Sequence, residues 1–301
     1  MNRRKFIQST MATTLFSSLE SYAKPIFTGN QTDLQILATD WGYEGSLDSF
    51  CSKVKAANYD GVELWWPNDE KKRNELFEAL KKYNLSIGFL AGSGNNDFDK
   101  NLFEFSKNID SIIQSKNQKP LYINCHSGKD FFNTEQGQAF FDFTSIASKS
   151  SGIPIYHETH RSRILYAAPI AKHFMETNPD LRLTCDLSHW CCVHESLLEN
   201  QPEAVNLAIE RAGHIHARIG HEEGPQVSDP RAGEWANAVK AHFGWWDRIV
   251  AKQKKNGERV TILTEFGPPN YMPTLPYTQQ VVANQWDINV YMMKILRERY
   301  K

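Results

Sequence analysis

Short apolar runs alternate with longer amphipathic stretches along most of the chain. The apolar runs lie at residues 34–39, 61–66, 85–91, 121–125, 153–157, 181–185, 214–218 and 260–264. The segments between them, such as SLDSFCSKVKAAN and DEKKRNELFEALKKY, carry their apolar residues at helical spacing. Nearly continuous apolar strands separated by helices predict a parallel sheet that is covered on its faces.

Eight strand–helix units in roughly 270 residues favour an α/β protein with one (β/α)8 TIM barrel as its single domain. A doubly wound open sheet is the alternative. It is less favoured because no glycine-rich dinucleotide turn follows the first strand. The sequence shows no second domain, low-complexity tract or interdomain linker.

The first residues, MNRRKFIQSTMATTLFSSLESYA, have a different pattern from the rest. Paired arginines precede a short apolar stretch that ends in a small residue, Ala23. This layout predicts an export signal over residues 1–23, of a kind that resembles the twin-arginine type, followed by the barrel domain at 24–301. The apolar stretch is too short to span a bilayer, and a disordered basic tail is the alternative. We therefore expect a periplasmic protein that has no membrane association once the signal is removed.

Composition narrows the class of partner. With 301 residues, 41% of them hydrophobic, the chain can bury one large core or two small ones. Its formal net charge is −1. A nucleic-acid-binding protein normally presents a basic face, so no nucleic acid partner is expected. The five cysteines are odd in number and two are adjacent. They predict buried thiols rather than a disulfide framework.

Ionisable residues follow several of the apolar runs directly. They are His126, Glu158, Asp186, His216 and Glu265. In a TIM barrel the carboxyl ends of the strands meet at one rim, where active groups gather. Three carboxylates converging there would cost several kcal/mol if they stayed unpaired, so the pattern predicts a divalent cation. The irregular insert GHEEGPQVSDPRAGEW after the seventh run is typical of a functional loop.

Four motifs on successive strands resemble a known family. HETHR, D-x-x-H-W, H-x-H-A-R and T-E-F-G are similar to those of the sugar phosphate isomerase/epimerase superfamily, the xylose isomerase-like barrels. The resemblance covers essentially the whole predicted mature chain. It implies one divalent metal held by four ligands, namely Glu158, Asp186, His216 and Glu265. It also implies that Glu158 and Glu265 act as the acid/base pair, as in the ketose 3-epimerases of this family.

Departures from related families favour a single metal. Two-metal xylose isomerases carry E-P-K at strand five, whereas this chain has Glu158-Thr159-His160. The related DNA-repair endonucleases hold three zinc ions and need an imidazole where this chain has Arg231. Ligation by carboxylates with one imidazole favours Mn²⁺, then Mg²⁺, and leaves Zn²⁺, Co²⁺ and Fe²⁺ open.

Further residues near the strand ends are candidates for binding a substrate. They are His126, His160, His189, Arg218, Trp41 and Trp66. The family resemblance implies that His189 contacts a substrate oxygen near the metal, although it could instead cap or pack a helix. His160 could equally support Glu158. Of the adjacent pair Trp65 and Trp66, alternation predicts that one packs under a helix.

The leading prediction is a metal-dependent isomerase or epimerase that removes a proton from a keto-sugar by way of an enediolate. A lyase that cleaves 3-keto-glycosides by β-elimination is the alternative, since it shares the first step. A non-catalytic periplasmic sugar-binding protein is the alternative from another class. Because sugar phosphates are cytoplasmic, export implies a free sugar or a glycoside as the small-molecule partner. Relatives of this family are often dimers or tetramers, so a homo-oligomer stays open.

Overall fold

The computed structural model describes residues 33–301. The predicted export signal at 1–23 and the predicted domain start at 24 lie outside the described residues. Within them, eight parallel strands form a closed barrel in sequence order, and the first strand pairs with the last. The predicted TIM barrel is confirmed. The strands are β1 (Leu34–Thr39), β2 (Gly61–Trp65), β3 (Ser86–Gly92), β4 (Ile123–His126), β5 (Ile155–Glu158), β6 (Leu183–Cys185), β7 (Ala212–His216) and β8 (Val260–Thr264).

Helices follow the strands and cover the outside of the barrel. They are α1 (Leu47–Ala56), α2 (Glu70–Tyr83), α3 (Phe98–Gln114), α4 (Thr134–Ser151), α5 (Ala168–Thr177), α6 (Leu187–Val193), α7 (Pro202–Arg211), α8 (Ala236–Lys255) and α9 (Gln285–Tyr300). Side chains fix several of their starts. The Asp69 carboxylate accepts the backbone N–H of Lys72 at the start of α2, and Asn133 and Gln136 form a capping box on α4.

Two strands differ from the sequence prediction in a way that matters for the rim. β4 and β5 each begin two residues later than predicted and end one residue later, so that His126 and Glu158 are their last residues. Pro154 has no N–H to give to the β-ladder, which is consistent with the later start of β5. The shift places both ionisable side chains on the barrel rather than in the loops after it.

Two tyrosines fill the barrel near the amino-terminal ends of its strands. A Cβ atom on Gly88 would lie 2.6 Å from the Tyr122 ring, and one on Gly213 would lie 2.3 Å from the Tyr156 ring. Glycine is therefore required at both positions, because any side chain would displace a phenol ring. The two rings, whose centroids are 5.8 Å apart, lie in the lower barrel beneath the rim where the ionisable residues lie.

The predicted buried thiols are confirmed for every cysteine except Cys192, which is only partly buried. All five cysteines are free, and four of them are buried. Among residues 33–301, no helix is both long enough and apolar enough to cross a membrane.

A buried histidine of α8 anchors the long loop after β7. Gly220 donates its backbone N–H to His242 Nε2 at 3.2 Å, and His242 Nδ1 donates to the Ala238 carbonyl at 2.8 Å. Burial lowers the pKa of His242 to about 4. The neutral ring with its proton on Nδ1 is the form that satisfies both contacts.

Protonation of this histidine opposes folding, so the free energy of unfolding should decrease as the pH is lowered. In the unfolded chain His242 becomes protonated below about pH 6.5, whereas in the folded chain it becomes protonated only near pH 4. Replacing His242→Gln should make the loss of unfolding free energy between pH 7 and pH 5 smaller by about 2 kcal/mol. Urea unfolding at the two pH values measures this. The exposed His173 provides the control, since His173→Gln should leave the dependence unchanged. Equal pH slopes for His242→Gln and the parent chain would contradict the expectation.

Candidate metal centre

Four strand-end side chains meet at the carboxyl-terminal rim. Glu158 ends β5, His216 ends β7, Asp186 follows β6 as the N-cap of α6, and Glu265 follows β8. One ligand atom from each lies within 4.8 Å of those of the other three. The first three are essentially buried, and Glu265 is 9% exposed. The structure thus brings together the four residues predicted as ligands, and their binding of a metal stays a prediction.

Buried lone pairs that lack hydrogen bonds point into this group. Glu158 Oε1, His216 Nδ1 and Glu265 Oε2 are buried atoms with no hydrogen-bond partner. His216 Nδ1 lies 2.9 Å from Glu265 Oε2 and 3.6 Å from Glu158 Oε1. Buried polar atoms are otherwise almost always satisfied, so the convergence calls for a cation. Three carboxylates and one imidazole are a ligand set that fits a hard or borderline divalent ion.

The pKa of His216 also indicates that this group of carboxylates attracts a positive charge. Burial opposes a positive charge on this ring, yet Glu265, Glu158 and Glu63 together raise the pKa of His216 well above its ordinary value. The carboxylates around the ring therefore attract a positive charge to its Nδ1 side. A proton or a metal ion can supply that charge.

Asp186 is fixed by an ion pair with a buried arginine. Arg218 Nη2 donates to Asp186 Oδ2 at 2.5 Å and lies 3.4 Å from Glu265 Oε2. The other oxygen, Asp186 Oδ1, accepts the backbone N–H of Ser188 at 3.0 Å. Burial raises the pKa of Asp186 to about 6, although Arg218 acts in the opposite direction. One guanidinium does not balance three carboxylates, so room for a further positive charge remains.

Hydrogen bonds hold one oxygen of Glu158 and leave the other free. Glu158 Oε2 accepts from Asn124 Nδ2 at 2.8 Å and lies 2.9 Å from His126 Nε2. Arg163 Nη2 donates to His126 Nδ1 at 3.5 Å, which places the His126 proton on Nε2, facing Glu158. Burial would raise the pKa of Glu158, but His126 and His216 hold it well below its ordinary value.

Three imidazoles form a wall beside Glu158. The ring centroids of His126 and His160 are 4.8 Å apart, and those of His160 and His189 are 3.9 Å apart. Arg218 Nη2 donates to His189 Nε2 at 2.8 Å. Burial lowers the pKa of His160 and of His189 well below the ordinary value, so both rings are neutral. The predicted substrate-binding residues His126, His160, His189 and Arg218 thus all adjoin the four ligand candidates.

Ligand atoms of His126, Glu158 and His160 also lie within 4.8 Å of one another. The Arg163 donor on His126 Nδ1 makes His126 a hydrogen-bond donor to Glu158. A metal on His126 Nε2 would require a proton on Nδ1, where the guanidinium already points. The geometry therefore favours the single-metal prediction over a second site here.

Aromatic rings surround the mouth. Trp41 packs edge-on against Tyr271 with centroids 4.8 Å apart. The Arg218 guanidinium carbon lies 5.9 Å from the Trp41 ring centroid and 4.8 Å from that of Tyr271. A Cβ atom on Gly267 would lie 2.4 Å from Trp41, so the indole lies directly on the backbone of the loop after Glu265. Trp41 is at the mouth, where the sequence predicted it.

The sequence-based choice of Trp66 as a substrate-binding residue is wrong. Trp66 is 7% exposed, donates its indole N–H to Ser111 at 3.1 Å, and packs edge-on against Phe89 in the core. Trp65 is 49% exposed and lies edge-on to His126 with centroids 5.1 Å apart. Strand alternation explains the outcome, because Trp65 shares the inward face of β2 with Glu63.

Three residues near the site were not predicted. They are Glu63, Asn124 and Tyr271. Glu63 and Asn124 interrupt the apolar runs GVELWW and LYINC, and a polar residue inside such a run is a usable signal for an inward-facing group. Burial would raise the pKa of Glu63, but His216 and His214 hold it below its ordinary value. Tyr271 lies in an irregular loop, where periodicity gives no signal.

Comparisons with known proteins bear on the fold. No family model matches the chain, and no curated protein matches it. Similar solved structures include the apo form of a 3-keto-D-glucoside 4-epimerase from E. coli, with 12% identity and a TM-score of 0.58, covering 88% of this chain and 99% of that one. They also include a probable 3-DHS dehydratase from Bacillus anthracis, with 15% identity and a TM-score of 0.54, covering 88% and 98%.

Endonuclease IV from Thermus thermophilus is a further similar structure, with 11% identity and a TM-score of 0.52, covering 89% of this chain and 98% of that one. These likenesses span nearly the whole of each solved chain. The protein therefore has the barrel fold of these three solved structures.

Removing one ligand candidate should abolish tight metal binding. We expect Asp186→Asn to lower the affinity for Mn²⁺ by at least about 100-fold, since losing even a residue that only orients a ligand costs about 10–100-fold. Calorimetric titration of Mn²⁺ measures the affinity. Asp229→Asn is the matched control, because Asp229 also pairs with an arginine, at 2.6 Å from Arg231, but lies outside the group of four. Equal affinities of the two variants would contradict the site.

The two adjacent tryptophans should respond oppositely to truncation. Trp66→Ala empties a buried position and should lower the free energy of unfolding by about 3–5 kcal/mol. Trp65→Ala should cost less than about 1 kcal/mol but weaken the binding of a sugar at the mouth. Urea unfolding and ligand titration separate the two effects. A large stability loss in Trp65→Ala would contradict the assignment.

Proposed function

We propose that this chain is a metal-dependent enzyme of the sugar phosphate isomerase/epimerase superfamily that isomerises or epimerises a keto-sugar. The proposal depends on one observation above all. Glu158 Oε1 and Glu265 Oε2, which have no hydrogen-bond partner, both lie near His216 Nδ1, at 3.6 and 2.9 Å. Two carboxylates with free oxygens at one cation site are what proton removal and proton return at a single carbon require.

Four residues would hold the ion, and they are Glu158, Asp186, His216 and Glu265. When bound, a divalent cation would stabilise negative charge on the carbonyl and neighbouring hydroxyl oxygens of the substrate. We expect Mn²⁺ ahead of Mg²⁺, Co²⁺ and Zn²⁺, because three of the four ligands are carboxylates.

The chain's own side chains carry the proton transfers. One glutamate removes the proton from the carbon beside the carbonyl, and the other returns a proton to the opposite face. Asn124 and His126 fix the orientation of Glu158 by hydrogen bonds to its Oε2. Both glutamates are nearly sealed from water, which protects the carbanionic substrate from unspecific protonation.

Substrate recognition combines polar groups with flat aromatic faces. Arg218 and the neutral rings of His160 and His189 offer hydrogen-bonding groups to sugar hydroxyls, while Trp41 and Trp65 offer apolar surfaces for a sugar ring. The predicted export signal and periplasmic location favour a free sugar or glycoside over a sugar phosphate. The similarity in fold to a 3-keto-D-glucoside 4-epimerase supports a keto-glucoside as the first compound to test.

Elimination is the second candidate, and a specific feature favours it. The three-imidazole wall beside Glu158 offers ring N–H groups that would give a departing group its proton. A lyase would remove the same proton and then expel a substituent β to the carbanion, leaving an unsaturated ketone and a protonated aglycone. The exposed face of Trp65 beside His126 gives an aglycone a surface to contact.

Solvent exchange tests the assignment of the acid/base pair. Ketoses and 3-keto-glucosides incubated in deuterated water with the enzyme should take up deuterium beside the carbonyl, and a chelator should stop this. We expect Glu158→Gln and Glu265→Gln each to lower exchange by about 10²–10⁴-fold, measured with Mn²⁺ raised until each variant holds one equivalent of metal. Glu75→Gln is the control, because Glu75 is exposed on α2. Unimpaired exchange in both active-site variants would reject the proposal.

The products distinguish the remaining alternatives. An epimerase yields a deuterated stereoisomer with every substituent retained, whereas a lyase releases the aglycone. Binding of sugars without exchange or turnover would instead favour a non-catalytic sugar-binding protein.

A further inference from the structure

A buried carboxylate lies directly behind the proposed metal ligand His216. Glu63 points into the barrel from the middle of β2 and is 0% exposed. Its Oε1 lies 3.0 Å from His216 Nε2, on the side of the ring opposite the group of four. Tyr122 donates its hydroxyl to Glu63 Oε2 at 2.6 Å, and His214 Nε2 lies 3.1 Å from the same oxygen.

This arrangement favours one tautomer of His216. Asn124 Nδ2 also lies 3.2 Å from His216 Nε2, but it donates to Glu158 Oε2 at 2.8 Å and to Glu63 Oε1 at 3.4 Å. An ionised carboxylate has acceptors and no donor, so the nitrogen that faces Glu63 must carry a proton. In the neutral ring His216 Nδ1 is then the nitrogen with the lone pair, and it is the atom that lies near Glu158 and Glu265 without a hydrogen bond. The ring is thereby held in the one form that can bind a cation at the rim.

The surroundings of Glu63 keep it in place independently of the rim. Tyr122 is held between the strands by the space that Gly88 leaves. His214 is held from its other side, where Nδ1 lies 2.9 Å from the Thr261 carbonyl oxygen. The carboxylate is therefore anchored in the barrel interior, and its position does not depend on any ligand.

We propose that Glu63 is a positioning residue, which accepts the Nε2 proton of His216 and so holds His216 Nδ1 ready to bind the cation. It contacts neither substrate nor metal. Its negative charge also increases the electron density of the imidazole, which strengthens the bond that His216 makes. This inference rests on the proposed metal site and adds a residue, from a different strand, that controls the affinity of that site.

The test measures metal affinity and tautomer rather than turnover. Glu63→Gln keeps the shape of the side chain and removes its charge. We expect the affinity for Mn²⁺ to fall about 10–100-fold. With histidines labelled with ¹⁵N and Zn²⁺ as a diamagnetic probe, wild-type His216 should show a metal-bound Nδ1 and a protonated Nε2. Glu63→Gln should show a mixture of tautomers. Thermal unfolding checks that the variant folds.

Tyr122→Phe is the matched control. It removes the shortest hydrogen bond to Glu63 but leaves the charge and the contact with His216 intact, so it should change the affinity far less than Glu63→Gln. If Glu63 had a purely structural role, both variants would lose stability and neither would change the tautomer of His216.

The outcomes separate this inference from the metal site itself. Wild-type and Glu63→Gln chains that bind Mn²⁺ with equal affinity would overturn the role of Glu63 and leave the metal site standing. If Glu63→Gln fails to fold, the wild-type spectrum decides alone, since a metal bound through Nε2 of His216 would overturn the inference. A wild-type chain that binds no divalent cation would overturn the metal site and this inference together.

Discussion

A carboxylate that is taken out of water must have a positive charge or several hydrogen-bond donors beside it, or it will hold a proton instead. The upper half of this barrel buries four carboxylates, those of Glu63, Glu158, Asp186 and Glu265. Among the described residues, Arg218 is their one arginine partner, and their other ion-pair partners are the histidines His126, His189, His214 and His216. The arrangement of the rim follows from this imbalance, because each side chain is oriented by the charge it must offset.

The barrel is the reason that these charges can be held so close together. Parallel strands in a closed sheet bring their carboxyl ends to one rim, and short strands such as β6 leave their end residues free to turn inward. Each ligand candidate has its own support: Ser188 and Arg218 for Asp186, Asn124 and His126 for Glu158, and Glu63 for His216. These contacts, together with the strands and helices that carry the side chains, hold the carboxylates in place against their mutual repulsion.

Periodicity predicted the barrel well, because eight apolar runs separated by helices are a signal carried by many residues at once. The meeting of Glu158, Asp186, His216 and Glu265 could also be predicted, since the strand order places their ends together. Strand ends were predicted less well. Alternation places Trp65 and Trp66 on opposite faces of β2, but which face is inward depends on tertiary packing, and Trp66 was the wrong choice. Glu63 was missed because a carboxylate inside an apolar run is recognised as functional only once its partners on β4 and β7 are known. Tyr271 lies in a loop whose course depends on tertiary packing.

The phenol rings of Tyr122 and Tyr156 occupy the lower barrel, so a substrate of the proposed reaction would enter and leave at the upper rim, past Trp41 and Trp65. A long oligosaccharide would then reach the buried carboxylates with its terminal residue only, and chain ends rather than internal units are the part of a polymer that the proposed enzyme would accept.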